Sequence, residues 1–109
     1  MVATLSPDEA AQLISSGDVD VIDVRDESEW CTGHIPEARL VPLDQLRADP
    51  ERALTRDKII FVCAKGVRSL TAAKLAERLG KTTVYNLDGG TLAWSRAGLP
   101  LAVEQRAAA

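Results

Sequence analysis

One stretch of the chain holds the residue types for nucleophilic chemistry: Cys63-Ala64-Lys65-Gly66-Val67-Arg68-Ser69. It lies between an apolar run, Ile59-Ile60-Phe61-Val62, and a helical pattern that begins at about Ser69. Backbone N–H groups from Ala64 to Ser69 can curl around an anion with the helix N-terminus behind them. Gly66 permits that curvature because it tolerates positive φ. The same field favours a thiolate, and about 2.7 kcal/mol of differential stabilisation makes it the majority form of a cysteine at neutral pH. Cys63 then needs no histidine base, and the chain's only histidine is His34.

Each feature also has a plainer account. A cysteine after an apolar strand is commonly an inert core residue. Lys65 and Arg68 can be solvated surface charges, and Arg68 can close the loop through a structural ion pair. The chemical reading is favoured because an inert cysteine requires none of Lys65, Gly66, Arg68 and the adjacent helix start. Lys65 is read as facing the ligand and Arg68 as partly structural.

The flanking elements must place this loop. Ser6-Pro7-Asp8-Glu9 has the cap, proline and acidic first turn of a helix start, with Glu9 positioned for a capping box, and the helix is expected to stop at Gly17. Val19 to Val24 reads as a strand. Glu27 to Thr32 reads as a short helix ending at Gly33, and Ala38 to Val41 as a short strand. Pro42 to Leu54 holds one or two helical turns. Ile59 to Val62, apolar at every position, suits a parallel strand covered on both faces. From Ser69 to Leu79, Ala72, Leu75, Ala76 and Leu79 form one apolar face, and Gly80 ends the helix. Thr83 to Leu87 is a last strand, Asp88-Gly89-Gly90 a turn, and Leu92-Ala93-Trp94 part of a final helix. Strands alternating with helices predict an α/β fold with mostly parallel strands and helices on both faces. In such sheets ligands bind beyond the strands' carboxyl ends, where Cys63 lies.

The composition suits one globular domain over residues 1–109, with its core at about 4–101 and a tail over 102–109 that lacks an anchoring pattern. Of the 109 residues 46% are hydrophobic and 27% charged, and the formal charge of -3 gives no footprint for nucleic acid or an anionic membrane. The chain has neither an apolar run of membrane-spanning length nor an export-like N-terminus, so a cytoplasmic location is expected. Cys31 and Cys63 match no zinc or C-x-x-C spacing and are expected as free thiols, with no metal or cofactor.

The sequence resembles the single-domain rhodanese-like sulfurtransferases from Ser6 to Pro100. Three blocks carry the resemblance: Val21-Ile22-Asp23-Val24-Arg25 with Glu29-Trp30 and Gly33-His34-Ile35-Pro36-Glu37-Ala38; the loop C-x-x-G-x-R-S from Cys63 to Ser69; and Leu87-Asp88-Gly89-Gly90 with Ala93-Trp94 and Gly98-Leu99-Pro100. The resemblance implies a rhodanese-like five-stranded parallel sheet. It also implies a Cys63 persulfide that takes a sulfane sulfur from a donor such as thiosulfate and passes it to cyanide, a thiol or a protein acceptor. Ala64, Lys65, Gly66, Val67, Arg68 and Ser69 would form the cradle. Asp23, Arg25 and Glu29 would hold the turn beside it, and His34 would belong to a structural turn.

Glu37 departs from the glycine usual after His-Ile-Pro. Cys31 lies outside the pattern and is either a resolving thiol or a partly buried helix residue; Trp30 and Trp94 are packing residues or rim. A cysteine-dependent phosphatase or arsenate reductase is the competing enzyme class, with a persulfide carrier for a protein partner as a further alternative. The loop has four residues between Cys63 and Arg68, one fewer than the phosphatase signature, and so makes a narrower cradle for a tetrahedral oxyanion.

Overall fold

The computed structural model describes residues 1–103; the tail from Glu104 to Ala109 lies outside the described residues. The described residues form eleven elements, strands and helices alternating except where α4 follows α3. The strands are β1 (Ala3–Leu5), β2 (Asp20–Asp23), β3 (Arg39–Leu40), β4 (Lys58–Val62) and β5 (Thr83–Leu87). The helices are α1 (Pro7–Ser15), α2 (Glu27–Thr32), α3 (Leu43–Ala48), α4 (Pro50–Ala53), α5 (Val67–Arg78) and α6 (Gly90–Arg96). The strands form one sheet in the order β1-β5-β4-β2-β3, parallel throughout. Every carboxyl end therefore lies along one edge, and β4, the central strand, delivers Cys63 there.

Alternation along β2 and β4 divides the core into two layers. Ile22, Val24, Ile59, Phe61 and Cys63 face Leu46, Leu54, Ala72, Ala73 and Ala76 from α3, α5 and the chain between. Val21, Ile60, Val62 and Leu87 face Ala10, Ile14 and Trp94 from α1 and α6. Both faces of β4 are thus covered, which explains its unbroken apolar run.

Local signals set the helix ends. Glu9 N–H donates to Ser6 Oγ at 3.2 Å and Ser6 N–H to Glu9 Oε1 at 2.9 Å, completing the capping box of α1. After α5, the N–H of Gly80 reaches Glu77 O and that of Lys81 reaches Ala76 O, the paired closure of a Schellman turn that needs positive φ at Gly80.

Three details differ from the expectation. β1 was not anticipated: Ala3-Thr4-Leu5 is too short to carry a pattern and is a strand because it pairs with β5 at the sheet edge. α5 begins at Val67, two residues before Ser69, so part of the cysteine loop is its first turn. Leu79 leaves the apolar face, lying at the helix cap 45% exposed, and Ala73 is buried instead.

Candidate active site

Cys63 follows β4 directly, and its side chain is almost wholly covered. Gly66 N–H donates to its Sγ at 3.1 Å, and Ser69 Oγ lies 3.2 Å from the sulfur. Gly66 has φ +96°, a left-handed conformation that turns its N–H back onto the thiol. Burial pushes the Cys63 pKa up, but the Ser69 hydroxyl and the backbone N–H groups of Ser69, Lys65 and Gly66 outweigh it, and the net shift is downward.

Ser69 belongs to a small relay. Its hydroxyl donates to Asn86 Oδ1 at 2.5 Å, while Asn86 Nδ2 donates to Gly66 O at 3.1 Å and so fixes the amide's orientation. A serine has one hydroxyl proton. With Cys63 as a thiol, S–H donates to Ser69 and Ser69 to Asn86; when the thiol ionises, the Ser69 proton turns toward the sulfur.

The loop is braced from below by α6. Thr91 N–H donates to Cys63 O at 2.8 Å and Leu92 N–H to Ala64 O at 3.1 Å. Gly90 makes this approach possible: a Cβ there would lie 2.2 Å from Cys63 O, and its φ is +59°. Asn86 and Gly90 are part of the site's frame, a role that the sequence alone does not assign to either: Asn86 reads as a strand residue, and Gly90 as part of a turn in the third block of the resemblance. The doubled glycine at 89–90 was the available signal for a close backbone approach.

The expected support residues divide into two pairs. Arg25 binds the Asp23 carboxylate through Nε, at 3.0 and 3.1 Å, and through Nη2, at 2.8 Å. Arg25 Nη2 also donates to Gly33 O at 2.8 Å, so the buried pair ties β2 to the end of α2. Glu29 is not part of that pair. It receives Arg68 Nη1 and Nη2 at 2.7 and 2.8 Å, linking α2 to the first turn of α5, and also accepts Asp26 N–H at 3.2 Å. The hydrogen bonds from Arg68 hold the Glu29 carboxyl down to about 2 despite partial desolvation, and Glu29 in turn raises the pKa of Arg68.

Glu29, Cys63, Ala64, Lys65, Val67 and Arg68 line a cavity of about 340 Å³ over the sulfur. Lys65 and Val67 are exposed at its rim. His34 is elsewhere in role: buried, its ring stacks on Trp30 at 3.5 Å, Nδ1 donates to Trp30 O at 3.0 Å, and its backbone pairs with Ala102. Trp94 packs in the core and donates from Nε1 to Pro100 O at 2.8 Å. Cys31 is a half-buried free thiol on α2. Among the described residues no cluster of His, Cys, Asp or Glu side chains is placed to hold a metal ion, and no helix is long and apolar enough to cross a membrane.

A parallel α/β sheet carrying a hydrogen-bonded cysteine loop at its central carboxyl end defines a recognisable class. The chain matches the Rhodanese-like domain family over residues 6–97 and belongs to that family. Among curated proteins it is 39% identical over 74 residues to the uncharacterised protein YqhL of Bacillus subtilis, covering 68% of this chain. The chain spans only 59% of that relative's length. It is 31% identical over 90 residues to a sulfurtransferase of Allochromatium vinosum, covering 83% of this chain and 84% of the relative. Among solved structures, a Rhodopseudomonas palustris protein described as a possible tyrosine phosphatase superposes with a TM-score of 0.83 and 35% identity, over 93% of this chain and 85% of that one. Family membership and the sulfurtransferase relative support sulfur transfer in general.

Proposed function

We propose that the protein is a sulfurtransferase working through a persulfide on Cys63, with thiosulfate or a related sulfane compound as donor and cyanide or a thiol, small or on a protein, as acceptor. One observation carries this reading: a buried thiol at the end of the central strand that accepts the N–H of Gly66 at 3.1 Å and lies 3.2 Å from Ser69 Oγ, contacts that favour its thiolate. In the first step the Cys63 thiolate attacks the outer sulfur of thiosulfate. The new S–S bond forms at Cys63, the donor S–S bond breaks, and its electron pair leaves on sulfite. Sulfite is a stable anion, so no general acid is required. An acceptor thiolate then attacks the terminal sulfur and the electron pair returns to Cys63. Throughout, the donors from Lys65 to Ser69 hold the negative sulfur and Lys65 faces the incoming anion. Asp23, Arg25 and His34 shape the surrounding turn. Thiolate chemistry and two free cysteines suit a reducing, cytoplasmic setting.

A second reading is favoured by the relative described as a possible tyrosine phosphatase. The four residues between Cys63 and Arg68 argue against it, as does the engagement of Arg68 by Glu29. The deciding experiment is the intact mass of the protein after incubation with thiosulfate. A gain of one sulfur is expected, reversed by a reducing thiol and abolished by Cys63→Ser. Sulfur on Cys31 instead, or hydrolysis of an aryl phosphate without any sulfur adduct, would overturn the proposal.

A further inference from the structure

The mouth over Cys63 has an unusual balance of charge. Arg68 offers the planar fork best suited to a sulfonate or phosphate head, yet both terminal nitrogens are directed at Glu29. Lys65 makes no ion pair among the described residues and is the cation left facing the cavity. Glu29, Arg68, Lys65 and the Cys63 thiolate together sum to zero charge. Beside Lys65 the rim carries apolar side chains: Val67 is 73% exposed at the cavity edge, and a second groove of about 310 Å³, sharing Ala64 and Lys65 and also lined by Arg25, Thr32 and Ser95, continues past Leu92, 43% exposed, and Leu101.

We propose that Glu29 sets donor specificity: by holding Arg68 in a two-point ion pair it withholds a cation from the substrate, so the site favours monoanionic donors with an apolar group, of the organic thiosulfonate class, over the thiosulfate dianion. The inference rests on the sulfur-transfer reading above. With such a donor, R–SO2–S⁻, the Cys63 thiolate attacks the terminal sulfur, the sulfur–sulfur bond of the donor breaks, and its electron pair leaves on the sulfinate R–SO2⁻. Cys63 is left as the persulfide anion, as with thiosulfate, and charge balances at two negatives on each side. The organic group lies along Leu92 and Leu101. Glu29 acts here as a positioning residue, since it works through Arg68.

The test compares wild type and Glu29→Gln with thiosulfate and benzenethiosulfonate as donors, cyanide as acceptor, and intact mass alongside. Wild type is expected to favour benzenethiosulfonate in kcat/KM by about tenfold or more, and Glu29→Gln to raise thiosulfate use relative to it by about tenfold, mainly through KM, as a guanidinium freed for a charge-assisted pair would. Leu92→Ser should weaken benzenethiosulfonate several-fold more than thiosulfate. Equal losses for both donors in Glu29→Gln would mark a merely structural residue and overturn the inference. So would equal losses in Leu92→Ser, or a wild-type preference for thiosulfate, which needs no variant to fold. Adducts on Cys63 from both donors with an unchanged ratio would sink this inference alone. No adduct from either donor would remove the sulfur-transfer reading and this inference with it.

Discussion

The loop around Cys63 has an inner wall and an outer lip, and each contains an arginine held by a carboxylate at two points. On the inner wall Asp23 is fully buried and Arg25 nearly so, two residues apart, with the guanidinium also bound to Gly33 O. On the lip Glu29 and Arg68 are 39 residues apart and each about a third exposed. The chemistry is the same and the medium differs. In the interior a broken pair strands a charge that water cannot reach, so geometry there is fixed. At the surface water screens the pair, which contributes little to stability and remains free to tune what the cavity attracts.

The sharpest way to break this contrast is Asp23→Asn. Leaving Arg25 unpaired in the interior should cost about 3–5 kcal/mol, read from urea unfolding; a loss below about 1 kcal/mol, the range of exposed pairs, would place both pairs in one class. Gly90→Ala probes the inner wall by shape instead of charge. A Cβ against Cys63 O in a left-handed backbone should cost about 2–4 kcal/mol and slow persulfide formation in protein that remains folded. A near-neutral variant would show that α6 does not brace the loop.

Ser69→Ala lies between wall and lip. It removes a donor to the thiolate, so the pKa of Cys63 should rise and the ionised fraction at neutral pH fall. Alkylation by iodoacetamide should be several-fold slower at pH 7, with the midpoint of its pH profile moved upward; an unmoved midpoint would assign the thiolate to the backbone donors alone. The smallest effect is the stability of Glu29→Gln, expected within about 1 kcal/mol of wild type at neutral pH. Because the folded pKa of Glu29 is lowered from 4.5 to about 2, its contribution is complete above about pH 4.5 and is lost as pH falls through about 2. The two proteins should therefore converge in acid, and a large gap at neutral pH would make the lip structural.

Much of this geometry could be read from residue order, because its causes are local. The cap of α1, the apolar run of β4 and the Cys63-to-Ser69 loop depend on neighbours within a few positions. What escaped depends on distant partners. β1 exists because β5 offers it an edge. Asn86 looks like any polar strand residue until the fold sets it against Ser69 and Gly66. Arg68 was read as partly structural, but that its carboxylate is Glu29 and not a member of the Asp23 group follows only from α2 and α5 meeting. Leu79 had the right period and the wrong position, because the helix ends before it can turn inward.

The bracing of Cys63 by Gly90, Thr91 and Leu92, with Asn86 holding Gly66, also has a meaning in time. All four braces lie downstream of the cysteine, so a ribosome delivers the thiol before it delivers what shapes the loop. Until β5 and α6 dock, the loop has only the upstream hold of Glu29 on Arg68, and the contacts to Cys63 O, Ala64 O and Gly66 O that finish its shape are still missing. The finished shape of the cysteine loop is therefore a property of the whole sheet and not of the loop's own residues.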